Sequence, residues 1–323
     1  MLFKNRLFAF VPAFLMAFDN MHFAQTRIGT VDGFLILFCL LSALFMFKYI
    51  SLERSAPLKK KLLNLFFCGL FFGLSVCVKW IAFYNGLGLA LLFFGKMIFD
   101  SFKARKFDKQ YLIIMLFCVL FFIIIPSIIY VSIYFNFETV HGKINNMDDF
   151  FKLTNDMFNF HSKLDADHPF TSKWYTWPIM LKPVWFYVQN MGNNITSTIS
   201  NIGNPAIWWF GIISFVYVLI DVIRKRKLEH IFILVMYLVV WLPYVFIGRV
   251  MFLYHYFMAL PFVMLAVTAL MKFLYEKFNK KWIVFGYLAI VFIMFWVFYP
   301  VSSGVPVPKT YADSLKWFST WYF

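Results

Sequence analysis

The most constraining feature of this chain is a series of long apolar runs. Residues 111–134 contain no Asp, Glu, Lys or Arg, and similar runs recur along the 323 residues. A helix needs about 20 apolar residues to cross the hydrocarbon, where every backbone polar group must be bonded internally. Charged residues are only 14% of the chain, against about 25% in globular proteins. The sequence therefore predicts an all-α, polytopic integral membrane protein.

The runs predict about nine transmembrane helices in a single membrane domain over residues 1–323. The predicted spans lie near 7–24, 33–50, 62–79, 81–99, 111–134, 206–223, 231–248, 251–271 and 282–299. A more polar loop of about 70 residues, 135–205, separates the fifth span from the sixth.

The net charge of +15 reports membrane topology rather than a nucleic-acid partner. Twenty of the 30 Lys and Arg residues lie at the amino terminus or in four short clusters, within 48–61, 96–109, 224–227 and 272–281. Segments poor in Lys and Arg alternate with them, which is the positive-inside pattern. The basic loops are therefore predicted to be cytoplasmic, with the 135–205 loop and the carboxy-terminal tail extracytoplasmic. The expected location is the cell membrane.

The residues themselves identify no metal site or cofactor. The four cysteines lie in apolar runs and are expected to be small buried hydrophobes. The His and acidic residues show no zinc spacing, and the chain contains neither a phosphate-binding Gly-rich loop nor a Gly-x-Ser-x-Gly elbow. Whether a divalent metal takes part stays open.

The first predicted outer turn, Phe18 to Asp32, is unusually polar and holds Asp19, Arg27 and Asp32. So many polar groups beside two spans are costly if they face lipid. One interpretation is structural, with Arg27 and Asp32 forming an ion pair that connects two helices. The other is a polar pocket that binds an anionic headgroup, with Arg27 as the phosphate contact.

Three further residues are candidates for contacting a phosphate: Lys79, Arg249 and His255. Lys79 ends one apolar run and works as a point charge, although a lone Lys in this position is also a common snorkelling anchor. Arg249 and His255 belong to a third polar cluster, and the Tyr residues beside them are ordinary interfacial residues.

The segment 168–178 within the large loop is dense in aromatic and polar side chains, and we call it the aromatic loop. Its candidate functional residues are His168, Lys173, Trp174, Tyr175 and Trp177. They are suited to stacking on a sugar or clamping an acceptor peptide, or to anchoring the loop at the interface.

Five colinear segments carry a resemblance over essentially the whole chain. They read FDNMHFAQTRIGTVD (18–32), VKWIAFY (78–84), HPFTSKWYTWP (168–178), IGNPAIWW (202–209) and FLYHYFMALPF (252–262). Together they resemble the bacterial type of protein O-mannosyltransferases, which use dolichyl- or polyprenyl-phosphate mannose. The resemblance implies a membrane-embedded C-type glycosyltransferase architecture with its active site at the outer membrane face.

The resemblance also implies the chemistry. Mannose moves with inversion from a polyprenyl phosphate to Ser or Thr hydroxyls of secreted or surface proteins, so the expected partners are membrane lipid, the lipid-linked sugar and the acceptor protein. In the family, an acidic pair in the first outer loop supplies the base. This sequence opens where the third helix of the family is expected, apparently without the two preceding helices, so the catalytic base is unassigned and Asp19 and Asp32 are weak candidates.

Three alternatives remain open at this stage. In the first, the chain is a noncatalytic fragment of such an enzyme. In the second, it is a split subunit completed by a separately encoded amino-terminal fragment. In the third, it is a related enzyme that moves another polyprenyl-phosphate sugar onto lipid or wall glycans. A transporter is disfavoured because the stranded charges gather at one membrane face rather than near the midplane.

Overall fold

The structure of the chain, a computed structural model, describes residues 2–3, 5–135, 138–139, 142–163 and 166–323. The chain divides into two compact units. Unit 1 comprises Met1–Asp32 and Asp167–Phe323, and unit 2 comprises Gly33–Ala166. The single membrane domain inferred from the sequence stays a prediction.

Within the described residues the helices are α1 Arg6–Ala17, α2 Asn20–Arg27, α3 Asp32–Ile50, α4 Leu58–Val78, α5 Ala82–Ala104, α6 Gln110–Val119, α7 Ile125–Phe135, α8 Met147–Lys163, α9 Pro205–Lys225, α10 Leu228–Trp241, α11 Leu260–Phe278, α12 Lys281–Ser303 and α13 Lys309–Ser314. A π-helical turn, Leu120–Ile124, joins α6 to α7, and 3₁₀ turns occur at Trp174–Thr176, Leu242–Phe246 and Leu253–Met258. The strands are β1 Glu138–Thr139, β2 Gly142–Lys143, β3 Val184–Gly192, β4 Ile195–Asn201 and β5 Val307–Pro308.

Among the described residues, seven helices are long and apolar enough to cross a membrane. They are α3, α4, α5, the continuous run Gln110–Phe135, α9, the run Leu228–Phe246 and α12. An eighth span results if α1 and α2 are counted together. The predicted run 251–271 begins instead with a 3₁₀ turn, and α11 starts at Leu260 and carries Lys272, Glu276 and Lys277 near its end. The count of nine spans therefore stays a prediction.

The predicted first span is broken in its second half. Helices α1 and α2 meet at an angle of 58°. The break has a local cause, because the Asp19 side chain accepts a hydrogen bond from the backbone N–H of His22 and so caps a new helix. An acidic N-cap of this kind satisfies backbone donors that the first turn leaves without a partner. One apolar run thus becomes two helices with a carboxylate between them.

Unit 2 packs α4 closely against the helix that contains the π-helical turn. A Cβ atom on Gly69 would lie 2.3 Å from the carbonyl oxygen of Phe121, and one on Gly73 would lie 3.0 Å from the Cα of Pro126. Small residues four apart on one helix face let two membrane helices approach to backbone contact. The two glycines of α4 and the π-helical turn, which has one residue more than an α-helical turn, therefore lie in the same helix–helix contact.

Replacing Gly69 with alanine is expected to destabilise the protein by about 1–3 kcal/mol, because the new methyl group meets a backbone carbonyl that cannot rotate away. The measurement is thermal unfolding of the purified chain in detergent. Gly95→Ala in α5 is the matched control, since nothing lies within 4 Å of a Cβ there. Equal melting temperatures for the two variants would contradict the packing described.

Unit 1 contains a three-stranded antiparallel sheet in the order β3-β4-β5, which the all-α prediction did not include. The hairpin turns at Asn193 and Asn194, and both residues have positive φ. Two such residues form the type I′ turn that suits the right-handed twist of a hairpin, and Asn is among the residues that tolerate it. The paired asparagines, with Gly192 before them, were the sequence signal for this hairpin.

In unit 1, helices α9 and α11 pack against each other, and strand β4 is bonded to the end of α12. Helices α9 and α11 approach closely at Gly211, where a Cβ would lie 2.4 Å from Cγ1 of Val263. The end of α12 is held against β4, because the N–H of Gly304 donates to the carbonyl of Thr198 at 3.0 Å. This junction carries most of the candidate site.

Candidate active site

Asp19 lies at the centre of a buried hydrogen-bond cluster. Its side chain is completely inaccessible to solvent. Oδ1 accepts from the N–H of His22 at 2.9 Å, and Oδ2 accepts from the N–H of Asn204 at 3.0 Å and from Nε1 of Trp208 at 2.9 Å. Both oxygens of this buried carboxylate are therefore hydrogen-bonded. The geometry favours Asp19 as a clamp between the α1–α2 break and the start of α9, rather than as a base that meets substrate.

Gly203 makes room for the Trp208 indole that donates to Asp19. A Cβ at this position would lie 2.0 Å from Nε1 of Trp208. Asn204 completes the junction, since its Nδ2 donates to the carbonyls of Phe18 and Val291, both at 2.9 Å. The segment 202–209 was therefore worth singling out in the sequence, although its role is visible only in three dimensions.

We expect Gly203→Ala to lower the free energy of unfolding by about 2–3 kcal/mol, because the displaced indole leaves a buried carboxylate short of a donor. The measurement is the melting temperature of the purified chain, with Gly286→Ala in α12 as the control, where a Cβ meets nothing within 4 Å. A Gly203→Ala protein as stable as the control would show that Trp208 is not needed to hold Asp19.

Asp32, the first residue of α3, ends a chain of buried amide hydrogen bonds. Nδ2 of Asn201 donates to Oε1 of Gln25 at 3.0 Å, and Nε2 of Gln25 donates to Oδ2 of Asp32 at 3.0 Å. All three side chains are buried. These two hydrogen bonds link one carboxylate oxygen of Asp32 to Asn201 at the end of β4. Gln25 and Asn201 were not assigned any role from the sequence.

Arg27 is exposed at the end of α2, and one of its nitrogens is anchored. Nη1 donates to the carbonyl of Ser303 at 2.8 Å, and the guanidinium carbon lies 5.6 Å from the ring centre of Phe23. Ser303 is the last residue of α12, where the helix dipole favours a cation. A guanidinium has five N–H donors in a planar fork, so one anchored nitrogen is compatible with binding a phosphate.

Tyr254 is a half-buried residue of the 3₁₀ turn Leu253–Met258. Burial raises the pKa of its phenol above the ordinary value, the nearby carboxylate of Asp32 raises it further, and the guanidinium of Arg249 opposes that rise. Phe186 of β3 packs beside Tyr254, with ring centres 6.4 Å apart. From the sequence, Tyr254 was expected to be only an interfacial aromatic residue.

His255 and Trp177 form an aromatic stack below the aromatic loop. Their ring centres are 5.9 Å apart and their planes differ by 13°. Trp177 is fully buried, donates from Nε1 to Oγ of Ser172 at 3.0 Å, and meets Tyr244 edge-on at 4.8 Å. Trp177 therefore anchors the aromatic loop by packing on Tyr244 and His255, and its side chain would have to become exposed before it could contact a sugar.

The rest of the aromatic loop is more accessible. Lys173 and Tyr175 are exposed, and His168 is exposed with its ring edge-on to Phe252 at 4.9 Å. Trp174 is half-buried and packs on Trp241 at 5.3 Å. The loop is tied to the chain near Arg249 by a backbone hydrogen bond of 2.9 Å from Ser172 to Met251.

Lys79 belongs to unit 2, unlike the other predicted site residues, which lie in unit 1. It is the C-cap of α4, its backbone N–H donates to the carbonyl of Ser75 at 3.2 Å, and it is half-buried. Its role as a phosphate contact stays a prediction. Among the described residues, no group of three or more His, Cys, Asp and Glu side chains is arranged to hold a metal ion.

Two family models match the chain. The model of the C-terminal four-transmembrane region of protein O-mannosyltransferase matches residues 146–321, and the model of dolichyl-phosphate-mannose-protein mannosyltransferase matches residues 1–143. Together they extend over both compact units, so the resemblance is not confined to one part of the chain.

Similar proteins agree. The chain is 23% identical over 379 residues to the polyprenol-phosphate-mannose–protein mannosyltransferase of Mycolicibacterium smegmatis, covering 98% of this chain and 72% of that protein. It is 22% identical to the corresponding Corynebacterium glutamicum protein, with the same coverages. A solved structure, the S. cerevisiae Pmt1–Pmt2 complex bound to the sugar donor, superposes with a TM-score of 0.82, 13% identity, and coverage of 98% of this chain and 77% of that chain. This likeness shows the fold.

Proposed function

Because the chain belongs to the protein O-mannosyltransferase family, a family of membrane glycosyltransferases, we propose that it transfers mannose from a polyprenyl-phosphate-mannose donor to Ser or Thr hydroxyls of secreted or surface proteins. The observation that carries the proposal is that Asp32 and Arg27 are both held through α2 in unit 1, where Gln25 donates to Asp32 at 3.0 Å and Arg27 donates to the carbonyl of Ser303 at 2.8 Å. A base for the acceptor hydroxyl and a cation for the departing phosphate are what this reaction requires.

Arg27 and Arg249 are the cations proposed to contact the donor phosphate. A departing polyprenyl phosphate gains negative charge as the bond to the sugar breaks, and a guanidinium stabilises that charge through paired N–H donors. Arg27 is oriented by the carbonyl of Ser303, and Arg249 lies two residues before Met251, whose carbonyl is bonded to Ser172 of the aromatic loop. His255 remains a further candidate for this contact, and Lys79 remains a candidate phosphate contact from the sequence alone.

Asp32 is proposed as the base. In an inverting transfer the acceptor oxygen attacks the anomeric carbon as the bond from that carbon to the phosphate oxygen breaks, and the hydroxyl proton passes to the base. Asp32 accepts a hydrogen bond from Gln25 and keeps 8% of its surface exposed, whereas Asp19 is completely inaccessible to solvent. Of the two candidates, Asp32 is the better suited to receive a proton from substrate.

The exposed part of the aromatic loop is proposed to position the acceptor. Lys173, Tyr175 and His168 are accessible there, and the loop is fixed from beneath by Trp177 and by the bond between Ser172 and Met251. Following the charge distribution of the sequence, the loop and the site are proposed to face the extracytoplasmic side, with the basic loops in the cytoplasm.

The test is transfer of radiolabelled mannose from polyprenyl-phosphate-mannose in membranes that contain this chain alone. Label in protein, released by alkali as expected for a sugar on Ser or Thr, would support the proposal. Label appearing only in lipid or glycan would favour the related polyprenyl-phosphate-sugar transferase instead. Membranes without the chain are the negative control, and membranes with the M. smegmatis relative are the positive one.

No label in any product, beside an active relative, would contradict the proposal for the chain alone. Label that appears only after a second, separately encoded fragment is supplied would instead favour the split-subunit alternative. The two outcomes are distinguished by repeating the assay with and without such a fragment.

A further inference from the structure

Unit 2 contains a cavity of about 860 Å³ that lies apart from the residues of the candidate active site in the chain. It is formed where α3 and α5 end and by the segments that lead into α4 and α6. Its polar lining includes Glu53, Arg54, Lys96, Asp100 and Lys103. A cavity with this many charged groups at the end of membrane helices requires an explanation, because such groups are costly unless they are paired or bind something.

The inner wall of the cavity is prearranged. Nζ of Lys96 lies 3.1 Å from Oδ2 of Asp100, and both side chains are only about a tenth exposed. The hydroxyl of Tyr111 donates to the same carboxylate oxygen at 2.7 Å. Nζ of buried Lys61 donates to the carbonyl of Arg54 at 2.6 Å, which fixes the loop that carries Arg54. The wall is therefore held in place by its own contacts.

The outer part of the cavity is lined by positively and negatively charged side chains that a ligand could contact. Lys103 and Glu53 are exposed, and Nε of Arg54 lies 3.3 Å from Oδ2 of Asp108 in a pair that is partly open to solvent. The segments 48–61 and 96–109 together contain ten Lys and Arg against three acids. The surroundings thus attract an anion, while the acids in the lining can accept hydrogen bonds from hydroxyl groups.

The neighbouring surface of α5 is apolar. Phe99, which lines the cavity, is 64% exposed, and Ile98 and Phe102 beside it are also highly exposed. This helix is one of the candidate membrane spans, so its exposed apolar side chains face hydrocarbon or its boundary. A ligand that fits both parts has a polar, negatively charged head and an apolar body.

We propose that this cavity binds the headgroup of an anionic phospholipid whose phosphodiester carries a polyol, as in phosphatidylglycerol. The phosphate contacts Lys103 and Arg54, the glycerol hydroxyls donate to Glu53 or Asp108, and the acyl chains lie along Phe99 and Phe102. Basic pockets between membrane helices are known to bind anionic headgroups in this way. The inference stands independently of the proposed transferase activity.

The test is native mass spectrometry of the full-length chain purified in detergent, with phosphatidylglycerol and phosphatidylcholine added in equal amounts. We expect one phosphatidylglycerol to be retained preferentially, and Lys103→Gln to weaken its retention about fivefold, as expected for one cation near a lipid phosphate. Lys106→Gln is the matched control, because Lys106 is exposed in the same segment but does not line the cavity. Arg54→Gln provides a second variant, and melting temperatures verify that each protein is folded.

Equal retention of the two lipids would overturn the proposal. So would the same loss in Lys103→Gln and Lys106→Gln, because that result would indicate a diffuse effect of net charge. Displacement of the lipid by millimolar glycerol 1-phosphate would also overturn it, since the cavity would then bind a soluble phosphate rather than a lipid.

Discussion

Mannose transfer by the Arg27→Ala variant is expected to fall about 10²–10³-fold, which is the usual cost of removing one preorganised donor from a developing anion. The contact with Ser303 contributes only about 1 kcal/mol to stability, so the protein should remain folded. The measurement is the initial rate of label transfer from polyprenyl-phosphate-mannose to an acceptor protein, at several donor concentrations.

Two comparisons make this result specific to Arg27. Arg27→Lys keeps the charge but loses the planar fork, so we expect partial activity. Lys309→Ala removes an exposed cation from the same compact unit and should leave the rate unchanged. If Arg27→Ala is as active as Lys309→Ala, Arg27 serves only to hold the end of α12.

The second large effect is expected for Asp32→Asn, which should lower turnover about 10²–10⁴-fold because the amide cannot take the acceptor proton. The amide that replaces the carboxylate still offers an oxygen to Nε2 of Gln25, so the buried hydrogen-bond chain is preserved. Single-turnover rates with saturating donor measure the chemical step directly, and melting temperatures verify that the variant is folded.

Asp19→Asn is the informative contrast. Both carboxylate oxygens of Asp19 accept backbone or indole N–H groups, so an amide NH₂ would face a donor on one side. We expect a loss of stability of about 3 kcal/mol with little change in the turnover of the folded fraction. An Asp32→Asn variant with full activity would mean that the base lies elsewhere, and an inactive but stable Asp19→Asn variant would move the assignment to Asp19.

Some candidate site residues were conspicuous in the sequence because stranded charges beside apolar runs are rare. Arg27, Asp32 and Arg249 were singled out for this reason. Trp177 belongs to the same conspicuous loop, yet its burial between Tyr244 and His255 could not be inferred from composition. An aromatic residue near a membrane surface is compatible with a ligand contact, with anchoring and with core packing, and only its neighbours distinguish these roles.

Local sequence signals for the β3–β4 hairpin and for the break in the first span were present, but the prediction followed the average hydropathy of each segment instead. Asn193 and Asn194 adopt the positive φ values of a tight turn, and Asp19 caps a new helix inside an apolar run. In both places short-range backbone chemistry changed an element whose average composition indicated something simpler.

The sequence by itself determined that the chain is a helical membrane protein, because membrane insertion depends on the summed transfer free energy of about 20 consecutive residues. Five colinear segments in the same sequence indicated the family. The tertiary structure decided which polar residues meet. Asn201 bonds Gln25 across 176 positions, and Trp208 bonds Asp19 across 189. Both contacts depend on how the helices pack, and the second also needs the space left by Gly203. A short stretch of sequence contains only one partner of each pair, so it cannot show that the two meet.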